Sequence, residues 1–418
     1  MSSATGARTP GRAVPRQPSR TTGFGPLRLQ QLVLLEVAIA LVLVAWVVTR
    51  WLVVPAGVVA LLLLVAAVWQ RRRQPVPEWV ASAMALRRRQ KLAKEPVPAD
   101  TDPSLAPAVE CDPALTTRMY TTRDRREIGM VGDGTFLTAV LQVQGTDSPL
   151  RPPAAERPLP LRLLQDALVV DDIRLESAQV VQHTQPAPAP HLPEHSVAAR
   201  SYAPLQEQSG APAIRLTWIA LKLHPELCPE AVQARGGGLE GAQRCLVRAV
   251  DQLSSRLAGA GFTAKVLRES EVTAAVATSA CANPLATAQA GRASAPVRRT
   301  VETSRAWRCD DRWHTTYWVG RWPQLGPDSA PLPRIVALLT SVPALASTFS
   351  LTLVHGRGSG SAPRVSGHVR ITGRSDTELV ESRKALERAA RDVKVGLVRL
   401  DREQLPGVLA TLPLGGTR

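Results

Sequence analysis

A glycine run near the middle of the chain has the spacing of a phosphate-binding loop. The segment ARGGGLEGAQRCL, residues 234–246, fits G-x-G-x-x-G through Gly236, Gly238 and Gly241. A dinucleotide loop needs a strand directly before the first glycine, and a P-loop needs Lys and then Ser or Thr after the last. Here the nearest predicted strand ends at Leu223, and Ala and Gln follow Gly241. We interpret the run as a joint before a helix or a loop facing a partner. Attraction of an anion to the helix N-terminus by Arg235 and Arg244 remains an alternative.

Two further motifs resemble metal sites. HLPEH, residues 191–195, matches the H-x-x-E-H pattern of zinc peptidases, which must lie on a helix. Pro193 and the preceding QPAPAP oppose a helix there. ALVVDD, residues 167–172, resembles an apolar strand ending in paired carboxylates, as in a Walker B strand or the Asp pair of some glycosyltransferases. No Walker A motif accompanies it, so Asp171 and Asp172 are predicted to be turn and cap residues.

An aromatic strand is the fourth candidate. RCDDRWHTTYWVGRWP, residues 308–323, brings three tryptophans, Tyr317 and His314 together. Such a strand with arginines can stack bases or pack on a partner, but aromatic residues more often fill the space between sheet and helices. We predict a core or subunit-contact role.

No other pattern indicates catalysis. The five cysteines include no C-x-x-C pair, so spacing encodes neither a disulfide framework nor a zinc site, and the seven histidines form no convincing ligand pair. We therefore expect no catalytic, cofactor-binding or metal-binding residue, and no cofactor.

The positive charge is concentrated near the N-terminus. The chain of 418 residues has a formal charge of +16, of which residues 1–94 carry 14 basic residues against Glu36 and Glu78. The remainder is nearly balanced. A nucleic-acid-binding protein would carry the excess on its folded domain, whereas here it flanks an apolar segment.

That apolar segment predicts a transmembrane helical hairpin over residues 31–70. Gln31–Val48 and Trp51–Gln70 each approach the ~20 residues of a spanning helix. Basic residues flank the pair on both sides, and only Arg50 lies between them, so the positive-inside rule places both termini in the cytoplasm. The expected location is the inner (plasma) membrane, as a multi-pass protein.

The rest divides by composition. Residues 1–30 are predicted to be a disordered basic N-terminus, and 71–113 a basic juxtamembrane helix and linker. Residues 114–418 are predicted to form a cytosolic mixed α/β domain. Its strand–helix–strand–helix order occurs at 214–280 and again at 365–412, which suggests two similar halves, 114–290 and 291–418.

Several segments together resemble one known family. They are the arginine-rich N-terminus, the two apolar runs, RRR, EIGMVGDGTFLTAVLQV, WIALKL, CPEAVQARGGGLEGAQRCLVRAVDQLSSRLAGAGF and WVGRWP. In this order they resemble EccE, a membrane component of the actinobacterial type VII (ESX) secretion apparatus, over roughly residues 30–410. The most distinctive part of the resemblance is the segment from the glycine run to Gly259–Phe262.

The resemblance implies a non-catalytic membrane subunit that assembles with EccB, the EccC ATPase and EccD to export proteins. It supplies no catalytic residues and implies no nucleic acid or small-molecule substrate. Two alternatives remain. One is a membrane-anchored nucleotide-sugar transferase or nucleotide-binding enzyme using Asp171 and Asp172. The other is a membrane-tethered nucleic-acid binder, which the nearly balanced charge after residue 94 disfavours.

Overall fold

We describe the fold from a computed structural model. It describes residues 29–48, 51, 53–68, 70–71, 74–98, 100–145, 158–185, 197, 201, 214–293, 296–323, 331–356 and 363–416. The chain forms two compact units, Arg16–Lys94 and Glu95–Arg418. The HLPEH motif lies outside the described residues.

The described part of the Arg16–Lys94 unit is mostly helical. Two apolar helices, α1 (Leu29–Val48) and α2 (Val53–Val68), pack against each other. Two-residue strands, β1 (Gln70–Arg71) and β2 (Gln74–Pro75), pair before the basic helix α3 (Val76–Leu92).

The prediction of a membrane-spanning hairpin is wrong. No helix that the structure describes has both the length and the apolar character that a crossing requires. The second predicted span, Trp51–Gln70, gives only the 16 residues of α2. At 1.5 Å per residue that is about 24 Å, against a hydrocarbon core about 30 Å thick. The placement of both termini in the cytoplasm was inferred from basic residues that flank the predicted hairpin, so it no longer has a basis.

The larger unit is a mixed helix and sheet structure. Its described helices are α4 (Ala106–Val109), α5 (Leu161–Asp166), α6 (Pro229–Ala234), α7 (Gly238–Gly259), α8 (Glu269–Ser279), α9 (Pro284–Ala290), α10 (Leu332–Thr340), α11 (Asp376–Asp392) and α12 (Gln404–Thr411). Its described strands are β3 (Thr116–Thr121), β4 (Glu127–Gly132), β5 (Leu137–Gly145), β6 (Val169–Val170), β7 (Ile173–Arg174), β8 (Ser177–Gln185), β9 (Ile214–Leu223), β10 (Phe262–Val266), β11 (Thr300–Glu302), β12 (Trp307–Cys309), β13 (Arg312–Arg321), β14 (Ala346–Val354), β15 (Arg364–Gly373) and β16 (Gly396–Arg399).

One antiparallel sheet organises this unit. Its order is β11-β12-β13-β15-β14-β8-β9-β5-β4-β3, with β10 pairing β5 and β16 pairing β13. The strands of residues 116–279 can be counted from their first, leaving out β6 and β7, and those of residues 300–411 likewise from theirs. Counted in this way, the strands follow the same order inward from each end of the sheet. The centre is the antiparallel pair β14–β8, from Ser347 opposite Thr184 to Val354 opposite Ser177.

The repeating order of elements is longer than the sequence indicated. Sequence patterns located it at 214–280 and 365–412. In the structure, three strands, a helix, two strands, a helix, a strand and a helix follow one another over 300–411. The same series occurs over 116–279, with the two-residue strands β6 and β7 and the short helix α6 as additions. The short alternating strands before each helix were not recognised as equivalent because their sequences share no motif. The division at residue 290 stays a prediction.

The two faces of the sheet differ chemically. The first face, covered by α5, α7, α10 and α11, is apolar and contains Leu141, Ile219, Leu351 and Ile371. The second face, covered by α4, α8, α12 and the chain after α12, mixes apolar residues with buried polar ones.

The segment after Glu403 is bonded to the second face through strand side chains. Gln179 Nε2 donates to Ala410 O over 2.9 Å, and Gly415 N donates to Gln179 Oε1 over 2.8 Å. Thr138 Oγ1 and Ser177 Oγ donate to the carbonyl oxygens of Leu414 and Gly415. Buried strand hydroxyls and amides therefore satisfy backbone groups that the covering segment would otherwise leave unpaired.

Candidate functional site

The glycine run is a tight joint between α6 and α7. Gly236, Gly237 and Gly238 have φ of 108°, 70° and 54°, a region that glycine enters without steric cost. A Cβ added to Gly241 would lie 2.3 Å from Val232 O. The four glycines thus let α6 fold back closely against the first turn of α7.

Arg235 is held by a carboxylate of a neighbouring hairpin. Its guanidinium donates two hydrogen bonds to Asp172, of 2.8 and 2.6 Å, and a third to Ala231 O over 2.9 Å. The hydrogen bonds from Arg235 lower the pKa of the Asp172 carboxyl. Arg235 is therefore a structural tie between α6 and the β6–β7 turn.

Arg244 and Arg248, on α7, are also engaged. Arg244 Nη1 donates to Arg235 O over 2.8 Å, and Arg244 Nη2 pairs with Glu240. Arg248 Nε donates to Asp171 Oδ2 over 3.0 Å. Since all three arginines near this helix N-terminus have protein partners, the geometry does not favour a phosphate site there.

Asp171 and Asp172 form the turn of the small β6–β7 hairpin. Val169 and Val170 pair with Arg174 and Ile173, and Asp171 adopts φ of 54°, which Asp tolerates in turns. Each carboxylate faces an arginine, so the pair is arranged to bind α6 and α7 and not a divalent cation. Among the described residues, no group of three or more His, Cys, Asp or Glu is placed to hold a metal ion.

The aromatic strand β13 packs inside the molecule. Tyr317 is buried and its Oη donates to Glu387 Oε1 on α11 over 2.8 Å. Burial, and then the bond to Glu387, raises the pKa of the Tyr317 hydroxyl. Trp322 meets Phe349 edge to face, with ring centroids 6.5 Å apart, whereas His314 is fully buried on the second face. These rings fill the core and do not form a base-stacking surface.

A groove of about 510 Å³ lies beside the glycine joint. Its apolar lining includes Phe136, Pro229, Val232 and Leu239, and Leu239 is 46% exposed. A second groove, of about 770 Å³, contains Asp100, Asp102, Glu127, Glu269 and Arg268. Sequence reasoning located neither groove, because each is formed by segments more than 80 residues apart in the chain.

The glycine joint, strand β9, helix α7 and most of β13 fall within one segment that can be compared with known families. Residues 211–319 match the EccE family. The description of that family is "Putative type VII ESX secretion system translocon, EccE". This confirms the family resemblance inferred from the sequence, over the matched segment, and supports a component of type VII secretion. A search among curated proteins found no match.

The EccE match includes the ion-paired glycine joint but not its carboxylate partners. Asp171 and Asp172 lie before residue 211, whereas Arg235 and Arg248 lie inside the matched segment. Two ion pairs therefore join the matched segment to the β6–β7 hairpin, which lies outside the match.

Proposed function

We propose that the chain is a non-catalytic, membrane-associated subunit of a type VII secretion complex, which assembles with EccB, the EccC ATPase and EccD. The observation that carries the proposal is the EccE match over residues 211–319. The arrangement of the matched segment supports a structural role, because the arginines of its most distinctive motif are bound by carboxylates of this chain.

A catalytic alternative has no support in the geometry. A nucleotide-sugar transferase would need Asp171 and Asp172 free to hold a metal and a diphosphate. Both carboxylates instead pair with arginines at 2.6–2.9 Å. Adding Mn²⁺ with a nucleotide sugar should leave the melting temperature of the protein unchanged. A metal-dependent rise lost in Asp171→Ala would favour the enzyme.

The test of assembly is purification of the tagged full chain from native membranes in mild detergent, followed by native electrophoresis and mass spectrometry. We expect a large assembly containing an FtsK-like ATPase and a many-helix membrane subunit. Recovery only as a monomer or dimer would contradict the proposal. The same tag on an unrelated membrane protein of that host controls for nonspecific capture.

A matched pair of variants connects the assembly to the glycine joint. Gly241→Val forces α6 away from α7, whereas Gly259→Ala, at the other end of α7, meets no atom within 4 Å. We expect Gly241→Val to reduce recovery of the partner subunits and Gly259→Ala to leave it unchanged. Circular dichroism of both purified chains separates loss of assembly from loss of fold.

A further inference from the structure

A row of buried polar side chains crosses the middle of the second face. Strand register places Thr316 on β13 opposite Arg370 on β15, Arg370 opposite Thr348 on β14, and Thr348 opposite His183 on β8. All four residues have no exposed surface. The row lies in the best covered part of the sheet, where unpaired polar groups are most costly.

Arg370 has too few partners for a buried guanidinium. Its Nη2 donates to Ser279 O and approaches Thr348 Oγ1 at 3.4 Å. Its Nε and Nη1 have no hydrogen-bond partner, and none of its described contacts is with a carboxylate. A guanidinium stays charged in proteins, and an uncompensated buried charge strongly destabilises a fold.

Neighbouring groups on the same face are also unpartnered, and one of them can only donate. The atoms are Thr316 Oγ1, His183 Nε2, His314 Nε2 and Trp307 Nε1. Trp Nε1 can only donate. The Trp307 and His314 rings lie 4.9 Å apart, and His183 Nδ1 shares Thr348 Oγ1 with Arg370 at 2.9 Å. The unpartnered atoms of this cluster that can only donate are therefore Arg370 Nε, Arg370 Nη1 and Trp307 Nε1.

The charge of this cluster is a single positive one. Burial, and then Arg370, lowers the pKa of His183 to about 3 and that of His314 well below its usual range, so both rings are neutral. Burial raises the pKa of the nearby Cys281 and Cys309 thiols, so neither supplies a negative charge. Arg312, the other cation near His314, has its own counter-ion, Asp311, at 3.2 Å.

We propose that Arg370 holds a small monovalent anion of the halide class, chloride under physiological conditions, inside the second face beneath α8 and α12. A water molecule can accept hydrogen bonds from these donors but leaves the charge uncompensated. A dianion such as sulfate would replace one unbalanced buried charge with another. A carboxylate from a partner protein cannot reach a side chain that has no exposed surface.

The first test measures the thermal unfolding of the full chain at constant ionic strength while chloride or bromide replaces gluconate. An anion that binds only the native state stabilises it by mass action. Above the dissociation constant, the melting temperature should rise by about 2–4 °C for each tenfold increase in halide. Sulfate at the same ionic strength should not reproduce the rise. Equal melting temperatures in all salts would show that only water fills the site.

The second test removes the charge. Arg370→Met should abolish the halide dependence and should be at least as stable as the wild type in gluconate, because the buried charge is gone. Arg364→Met, at the exposed start of the same strand, should keep the full dependence. Halide dependence that survives in Arg370→Met would overturn the proposal.

A third measurement does not depend on a variant that folds. Crystals of the wild-type chain grown in bromide should show an anomalous scattering peak within about 3.5 Å of the Arg370 guanidinium. Absence of a peak there in well-diffracting crystals contradicts the proposal whether or not Arg370→Met is stable. None of these outcomes depends on assembly with the secretion subunits.

Discussion

Three buried histidines make the stability of the fold dependent on pH. Burial lowers the pKa of His368 to about 4 and, with Arg370, that of His183 to about 3, and His314 shifts in the same direction. Below about pH 6.5 the unfolded chain binds protons that the folded chain excludes. The free energy of unfolding should therefore have its full value above about pH 6.5 and decrease as the pH falls toward 4.

The contribution of one proton to this pH dependence can be measured at His368, because neither of its ring nitrogens has a hydrogen-bond partner. His368→Leu should lower the slope of the unfolding free energy against pH by about 1.4 kcal/mol per pH unit between pH 6 and 4.5. Urea unfolding at several pH values measures the slope, with His224→Asn as the control. An unchanged slope in His368→Leu would mean that His368 is protonated in the folded state.

Arg299 connects four segments of the larger unit. It forms a buried ion pair with Asp310 at 2.7 Å, with both side chains 6% exposed. It also donates to Pro103 O over 2.7 Å and to Thr287 Oγ1 over 2.8 Å. The pair therefore joins the segment before α4, helix α9 and strands β11 and β12.

Arg299→Met should reduce the free energy of unfolding by about 3–5 kcal/mol, because Asp310 stays buried without its cation. The double variant Arg299→Met/Asp310→Asn should lose less than the single one. Arg305→Met, on the exposed turn nearby, should change it by less than about 0.5 kcal/mol. Chemical denaturation measures these free energies of unfolding. Equal losses of stability in the single and double variants would rule out an uncompensated charge as the cause.

At the scale of elements, the joint between α6 and α7 depends on close backbone contact. Gly241→Ala places a methyl group against Val232 O and should destabilise the protein by about 1–3 kcal/mol. Gly259→Ala meets no neighbour and should stabilise it by about 0.5–1 kcal/mol through helix propensity. Melting temperatures that shift in the same direction for both variants would refute a role for close approach at Gly241.

Sequence reasoning succeeded where one periodicity decided the structure. The strand that ends at Leu223 and the helix after the glycine run were both located correctly, because β9 and α7 each bury one regular face. The same rule does not suffice for β15, where His368, Arg370 and Thr372 alternate with apolar residues. This pattern is typical of a strand with one solvent-facing side, but α8 and α12 cover that side. The sequence of β15 alone does not show that these two helices pack on it.

At the scale of the molecule, one sheet passes through both proposed halves, 114–290 and 291–418. The central β14–β8 pair and the bonds of Leu414 and Gly415 to Thr138 and Ser177 cross between them. Residues 95–290 and 291–418 expressed separately should therefore fail to unfold cooperatively, and mixing them should restore a stable complex. Size-exclusion chromatography and denaturation measure both. A cooperatively folding single fragment would contradict this.

The two edges of the sheet are unequally protected against self-association. Strand β11 has three residues, too few to align a second chain. Strand β3 has six, with Met119 52% exposed and Arg118 as its one charge. Aggregation at high concentration should therefore begin at β3. Met119→Lys should raise the concentration at which turbidity appears, whereas Val301→Lys on β11 should not, so solubility in this protein is a property of one edge.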